Sequence, residues 1–240
     1  MERMHDIQTC LRSIRHSFNP RHGPLPGGVE RDPEPRRIGY LPVVIVTEPW
    51  WVFPALVDAP MCDRIIEHGL SLDQESARLR ASNEVDKRKT SIAWVREDWV
   101  YEAVESYVYK ANKDAGWNFE IERMQSLQFG VYTDGGKYDW HFDMTGRTYD
   151  ERDAVSPAFH GLLRKVSFSL QLSAPSDYEG GALELELGLP SDANRVEQPD
   201  PSRERGTLIV FPSFVPHRVT PVTTGTRYSL VGWVCGKPWR

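Results

Sequence analysis

The fold is indicated most directly by residues 137–143, which read Lys-Tyr-Asp-Trp-His-Phe-Asp. Successive side chains of a β-strand point to opposite faces. His141 and Asp143 would then share one face, while Tyr138, Trp140 and Phe142 would point away into packing. The alternation predicts a strand whose polar face carries an imidazole and a carboxylate.

Short segments of this type recur in the second half of the chain, separated by turn residues. Together the predicted strands are residues 119–132, 137–143, 164–172, 182–187, 207–211, 215–219 and 226–234. Regular short strands of this kind are typical of a β-sandwich or barrel. Two long polar loops, residues 144–163 and 188–206, lie between them, and long loops in compact domains are often lids or binding loops.

Two helices are predicted before the strands. Residues 59–70 place Pro60 in a first turn and Gly69 at the stop. Residues 98–115 carry apolar side chains on one face, at Val100, Val104, Val108 and Ala111. The sequence therefore predicts a mainly β fold with flanking α-helices.

The N-terminal part differs from the rest of the chain in composition and in the spacing of its apolar residues. Residues 2–17 have the apolar spacing of one helical face, and residues 18–39 are rich in Pro, Gly and Arg. We predict an N-terminal helix and Pro/Gly/Arg-rich arm over residues 1–40, and a single domain over residues 41–240.

Composition narrows the classes of partner and compartment. The formal net charge of −5 disfavours nucleic acid as a partner. The sequence contains no apolar run long enough to span a membrane, and its N-terminus lacks the apolar run of a signal peptide. Three cysteines, Cys10, Cys62 and Cys235, cannot all pair within one chain, which favours a reducing, cytoplasmic compartment. The sequence leaves the oligomeric state undetermined.

A metal site is predicted from the pattern of two histidines and one carboxylate. His141 and Asp143 can bind one ion from a single strand face, and Fe(II) in non-haem oxygenases takes two His and one carboxylate. Residues 208–219 supply the other histidine: Pro216 favours extended backbone at Val215, which places His217 early in a strand.

A binding site for an anion is predicted around Arg227, ten residues after His217. Arg227, Ser229 and Trp233 would share one strand face, and a hairpin through Pro221 and Gly225 would place Arg227 beside the His217 strand. Arg grips carboxylates through a two-pronged fork, and Ser229 can add a hydrogen bond. This arrangement suits a dicarboxylate that also chelates the metal.

His141-x-Asp143, His217 and Arg227-x-Ser229 together resemble the Fe(II)- and 2-oxoglutarate-dependent oxygenases. More narrowly, the chain is similar to the prolyl 4-hydroxylase-like branch, through residues 128–132 (Gln-Phe-Gly-Val-Tyr) and 178–185 (Tyr-Glu-Gly-Gly-Ala-Leu-Glu-Leu) as well. The resemblance covers about residues 50–236. It implies a double-stranded β-helix, a jelly-roll-like core, with helices on its N-terminal side.

The resemblance also implies roles for individual residues. His141, Asp143 and His217 match the metal ligands, and Arg227 matches the residue that binds the distal carboxylate of 2-oxoglutarate, where prolyl hydroxylases usually have Lys. The other matches are Ser229 and Tyr132 beside the co-substrate and Trp233 near the substrate.

The implied reaction uses Fe(II), 2-oxoglutarate and O2 to hydroxylate an unactivated C–H bond, releasing succinate and CO2. Asp143 favours hydroxylation over halogenation, because related halogenases have a small residue in place of the carboxylate. One hypothesis is hydroxylation of an amino-acid residue, prolyl or other, free or in a peptide or protein. The alternatives are tailoring of a small specialised metabolite and a non-catalytic binding module. Arginines of the two long loops, Arg147 among them, are candidates to contact an acidic substrate.

Overall fold

The computed structural model describes residues 48–76, 87–187, 196–199 and 201–239. The predicted N-terminal helix over residues 2–17 and the arm over residues 18–39 lie outside this part of the chain, so a boundary at residue 40 stays a prediction. The described residues as far as Pro238 belong to one compact unit.

The two predicted helices are confirmed as α1, Ala59–Ser71, and α2, Asp98–Asp114. Helix α1 begins at an N-cap, Asp58, whose side chain accepts a hydrogen bond from the Met61 backbone N–H at 2.9 Å. Within the described residues, neither helix is long and apolar enough to cross a membrane.

The predicted helix stop at Gly69 is wrong, because α1 runs through this residue to Ser71. A Cβ atom at Gly69 would lie 2.5 Å from Cγ of Phe129. The glycine therefore allows the helix to pack closely against the sheet, and tertiary packing overrides its local tendency to end helices.

Fifteen strands form in the described part of the chain. They are β1 (Trp51–Phe53), β2 (Glu75–Ser76), β3 (Arg88–Lys89), β4 (Ser91–Val95), β5 (Arg123–Met124), β6 (Leu127–Tyr132), β7 (Lys137–His141), β8 (Leu163–Gln171), β9 (Tyr178–Gly180), β10 (Leu183–Glu186), β11 (Val196–Glu197), β12 (Leu208–Pro212), β13 (His217–Val219), β14 (Val222–Gly225) and β15 (Arg227–Gly236). The strands that precede residue 119, and the short β9, β11 and β14, were not predicted from the sequence.

The strands form two main antiparallel sheets. The major sheet has the order β1-β12-β8-β15-β6-β4-β2, with β5 paired to β15, and the minor sheet has the order β11-β10-β13-β7-β3. Strands β9 and β14 pair in a two-stranded ribbon. Along the chain, each of them lies between a strand of one main sheet and a strand of the other. The mainly β prediction with a jelly-roll-like core and flanking helices is confirmed.

Packing leaves a pocket between the two sheets. Helix α2 lies against β8 and β12 and buries Val100, Val104 and Val108 there. At one end of the pocket the sheets meet in a cluster that joins Leu183 and Leu185 of the minor sheet to residues of the major sheet, Ile209 and Phe211. Each such fully buried side chain stabilises the fold by about 1.5–3 kcal/mol.

The predicted hairpin between His217 and Arg227 is wrong. His217 begins β13 in the minor sheet, whereas Arg227 begins β15 in the major sheet. The intervening strand β14 pairs with β9 and carries the chain from one sheet to the other. His217 and Arg227 therefore belong to opposite walls of the pocket.

Candidate active site

Three predicted ligands come together at the ends of two neighbouring strands. His141 ends β7 and stands opposite His217, the first residue of β13, and Asp143 follows two residues after His141. Nε2 of His217 lies 3.4 Å from Oδ2 of Asp143, and Nε2 of His141 lies 3.9 Å from Oδ1. One ligand atom from each residue falls within 4.8 Å of the other two, so all three can bind a single ion.

Backbone carbonyls orient both imidazole rings. Nδ1 of His141 lies 2.8 Å from the Asp139 carbonyl oxygen, and Nδ1 of His217 lies 3.0 Å from that of Val215. Each Nδ1–H can donate to its carbonyl, which leaves Nε2 as the free lone pair for a metal. The Asp143 backbone N–H donates to the Ser213 carbonyl at 3.0 Å and fixes the third ligand.

The local electrostatics favour the protonation states that a metal needs. Burial, assisted by the neighbouring His217, lowers the pKa of His141 to about 3, which keeps this ring neutral. Burial opposes the charged form of Asp143, yet His217, His141 and Arg164 together hold the pKa of this carboxyl below its usual range. A neutral imidazole and an ionised carboxylate are the ligand forms that bind metal ions.

Strand β7 does not follow the regular alternation that the sequence suggested. His141 pairs with His217 but Tyr138 pairs with Val219, so three steps along β7 match two along β13. This bulge turns Tyr138 to the ligand side, where its ring stacks on that of His141 at 3.5 Å between centroids. The predicted packing of Tyr138 and Phe142 on the opposite face is therefore wrong, and Phe142 is 42% exposed.

The opposite wall of the pocket carries the predicted co-substrate residues. Arg227, on β15, is only 3% exposed and pairs in register with Tyr132 of β6. Its Nη1 is buried without a hydrogen-bond partner, and buried guanidinium donors require an acceptor. The position is kept open by Gly181, whose Cβ would lie 3.0 Å from Cδ of Arg227. A carboxylate would satisfy the unpaired donor.

One pocket brings together seven of the eight residues proposed from the sequence. Its lining includes His141, Asp143, His217, Arg227, Ser229, Tyr132 and Trp233. Arg147 lies outside the lining, because its guanidinium donates to Asp153 at 2.8 Å and Asp150 at 3.2 Å within the loop.

The loop of residues 144–162 is docked against the domain. Tyr149 and Leu162 pack on Cys235 in a small apolar cluster, with Val155 and Phe159 beside it. The Tyr149 N–H donates to the Leu162 carbonyl at 2.8 Å and ties the two ends of the loop together. Of the second long loop, residues 188–195 and residue 200 lie outside the described part.

Arg88, which lines the pocket, was missed by the sequence analysis. Arg88 of β3 donates from Nη2 to Oε1 of Gln128 at 2.6 Å, and its guanidinium lies 4.4 Å from the centroid of the Tyr138 ring. The available signal was the β-branched and aromatic composition of residues 91–95 (Ser-Ile-Ala-Trp-Val), which is typical of a strand and lies close to Arg88 in the sequence. Arg164, at the start of the predicted strand 164–172, lies on β8 outside the pocket lining, with its guanidinium 3.8 Å from the centroid of a Trp233 ring.

The fold and the site together define a class of protein. Two imidazoles and one carboxylate on one side of a pocket form the donor set of non-haem Fe(II) oxygenases, and the unpaired Arg227 donor suits a dicarboxylate co-substrate. Residues 127–235 match the family model described as the 2OG-Fe(II) oxygenase superfamily. This stretch, just under half of the chain, is similar to that superfamily.

Part of the chain is also similar to a curated protein. A PKHD-type hydroxylase from Synechococcus sp. is 37% identical over 112 residues, which are 46% of this chain and 43% of the relative. The chain thus spans less than half the length of this curated relative.

Two solved structures share the fold. A Trichoplax adhaerens prolyl hydroxylase in complex with a hypoxia-inducible-factor peptide fragment has a TM-score of 0.58 at 22% identity, covering 78% of this chain and 84% of that one. A Pseudomonas putida prolyl-4-hydroxylase has a TM-score of 0.56 at 22% identity, covering 78% and 93%.

Proposed function

We propose that this protein is an Fe(II)- and 2-oxoglutarate-dependent dioxygenase that hydroxylates an unactivated C–H bond of an amino-acid residue, with release of succinate and CO2. The observation that carries the proposal is the pairing of two half-sites across one pocket. The minor sheet offers the His141–Asp143–His217 ligand cluster, and the major sheet faces it with the buried, unpaired Nη1 of Arg227.

Iron and 2-oxoglutarate, when bound, supply the oxidising chemistry, and the chain supplies orientation and a dry pocket. His141, Asp143 and His217 would hold the metal through two neutral nitrogens and one charged oxygen. Asp143 fills the carboxylate position, which supports hydroxylation over halogenation.

Arg227 would hold the distal carboxylate of 2-oxoglutarate through a charge-assisted contact. Ser229 lines the same pocket two residues along β15, and Tyr132 is the register partner of Arg227 on β6. Both hydroxyls would add hydrogen bonds to the co-substrate. Because these three residues lie on long, paired strands, the co-substrate would be held in one fixed orientation.

Trp233 would form the substrate side of the pocket, with Arg164 packed against its ring. Nη1 of Arg164 lies 3.9 Å from Oδ1 of Asp143, which places this pair next to the metal ligands. The similarity to a prolyl hydroxylase solved with a peptide fragment supports a peptidyl substrate. The buried, free thiols of Cys62 and Cys235 agree with the inferred reducing, cytoplasmic compartment.

The test is succinate formation by the Fe(II)-loaded protein, screened over free amino acids, prolyl peptides and small metabolites. We expect succinate to rise in equal amount with a hydroxylated product, and to fall to background in the Zn(II)-loaded protein, because zinc has no redox chemistry. Binding of 2-oxoglutarate without any succinate across the panel would favour the binding-module alternative.

A further inference from the structure

Arg88 is the lining residue whose charge the proposed reaction leaves unused. It enters the pocket from β3, held by Gln128 on one side and the Tyr138 ring on the other. Its Nε is buried and has no hydrogen-bond partner. A buried guanidinium donor of this kind requires an acceptor, and a ligand in the pocket can provide it.

The described lining offers Arg88 no carboxylate of its own. Asp143 is the one acidic residue among the described residues that line the pocket. It is already shared by the two histidines and by Arg164, at 3.4–3.9 Å. Neutral Gln128 is the hydrogen-bond partner of Arg88, and it leaves the positive charge uncompensated.

With metal and 2-oxoglutarate bound, the charge of Arg88 would have no counter-charge in the part of the pocket that the structure describes. A divalent metal, the Asp143 carboxylate, a 2-oxoglutarate dianion and Arg227 sum to zero. Arg88 then leaves the described pocket lining with one uncompensated positive charge. Excess charge in a pocket of low dielectric favours a ligand of opposite sign.

Arg88 acts at a different level of the pocket from Arg227. Arg227 pairs in register with Tyr132, whereas Gln128, which binds Arg88, pairs with Val231. Four strand residues, about 13 Å, separate these two levels. The two arginines are therefore placed to bind different carboxylates.

We propose that Arg88 makes this a pocket for a substrate that carries a carboxylate beside the residue to be hydroxylated. The proposal rests on the proposed function and narrows its substrate class. The carboxylate can be the C-terminus of a free amino acid or short peptide, or the side chain of an acidic residue, since both offer the same acceptor to Arg88.

The test is calorimetric binding to the protein loaded with Fe(II) and saturating 2-oxoglutarate, without O2. The probes are matched pairs: L-proline and L-prolinamide, a prolyl dipeptide with free or amidated C-terminus, and a blocked prolyl peptide containing Glu or Gln. We expect the carboxylate member of at least one pair to bind roughly 10- to 150-fold more tightly, as a charge-assisted contact implies. The first two pairs report the terminal carboxylate, and the third reports the side chain.

Two substitutions assign that preference to Arg88. Arg88→Gln should abolish it, and Arg88→Lys should restore part of it, because Lys keeps the charge without the fork. Arg123→Gln, at an exposed arginine on β5 outside the pocket lining, is the matched control and should leave the preference unchanged.

The proposal is overturned if no carboxylate probe binds better than its amide, or if the preference survives in Arg88→Gln. A 2-oxoglutarate titration of each variant separates this from failure of the proposed function. Loss of 2-oxoglutarate binding in the unmodified protein would remove both, whereas normal 2-oxoglutarate binding without carboxylate preference removes the role of Arg88 alone.

Discussion

The two sheets contribute to the pocket in contrasting ways. The major sheet has long strands, β8 and β15 among them, and is covered by α2. It carries Arg227, Ser229 and Tyr132. The minor sheet is made of strands of five residues or fewer in the described part of the chain, and its strand β7 contains a bulge. It carries His141 and His217.

This difference separates stability from ligand geometry. A residue of the major sheet is fixed by ladder hydrogen bonds and by a packed outer face, so changes there should act first on folding. A ligand of the minor sheet depends on individual contacts, such as the carbonyls beside His141 and His217. Changes there should act on metal binding and leave the fold intact.

The largest effect is expected at the minor sheet, from His217→Ala or His141→Ala. Each removes one of the three protein ligands, so Fe(II) binding and turnover should be lost while the thermal midpoint changes little. Metal content and succinate formation measure the outcome. Arg218→Gln, which alters the neighbouring residue that pairs with Glu184, serves as control. Normal turnover in either alanine variant would end the metal assignment.

The next effect is expected at the major sheet, from Phe129→Ala. Phe129 is fully buried against Gly69, and truncating such a ring costs about 3–5 kcal/mol. Urea unfolding measures the loss. Phe142→Ala is the matched aromatic on the minor-sheet side, and because it is 42% exposed its cost should stay within about 0.5 kcal/mol. Equal costs at both positions would refute the contrast between the sheets.

A smaller effect is expected at the site on the major sheet. Arg227→Ala should raise the 2-oxoglutarate KM about 10- to 150-fold, since a hydrogen bond to a charged group is worth roughly 1.5–3 kcal/mol. Fe(II) binding, measured by metal content, should persist because the ligands lie on the other sheet. The 2-oxoglutarate KM of Arg227→Lys should lie between those of the unmodified protein and Arg227→Ala. An unchanged KM would place the co-substrate elsewhere.

The smallest effect concerns Cys235 at the end of β15. Burial raises the pKa of this thiol from 9.0 to about 12, so it stays protonated near neutral pH. We expect iodoacetamide to label Cys235 far more slowly in the folded protein than in urea. Mass spectrometry of the peptide that contains Cys235 measures the rate. Because the folded thiol has the higher pKa, its contribution to stability is present below pH 9.0 and is lost as the pH rises toward about 12. Rapid labelling of the folded protein would show that this end of the sheet opens.

Local patterns predicted the helices closely, because helical periodicity depends on neighbours along the chain. Residues 98–115 were predicted and Asp98–Asp114 form α2. The ligands were also predicted, since their chemistry is carried by residue type. What the sequence could not provide was the placement that depends on distant pairing.

Two positions show why distant pairing decides the rest. The connection after His217 is compatible with a hairpin, and only the pairing of β14 with β9 sends the chain to the other sheet. The alternation around Tyr138 is regular in sequence, and only the pairing of β7 with β13 introduces the bulge. Arg88 was missed for a related reason. Its strand is only two residues long, and it forms by pairing with distant residues of β7, where Arg88 stands opposite Tyr138.

The bulge in β7 also implies a trade-off that protein engineering could expose. The Asp139 carbonyl that orients the His141 ring lies within the irregular stretch between the pairs at Tyr138 and His141. Deleting one residue there would give β7 the regular spacing of its partner and a continuous ladder. We expect such a shortened strand to pair better and its histidine to be held less firmly. Selection for heat resistance alone would then favour the deletion and weaken the catalyst, as is common where activity depends on locally imperfect structure.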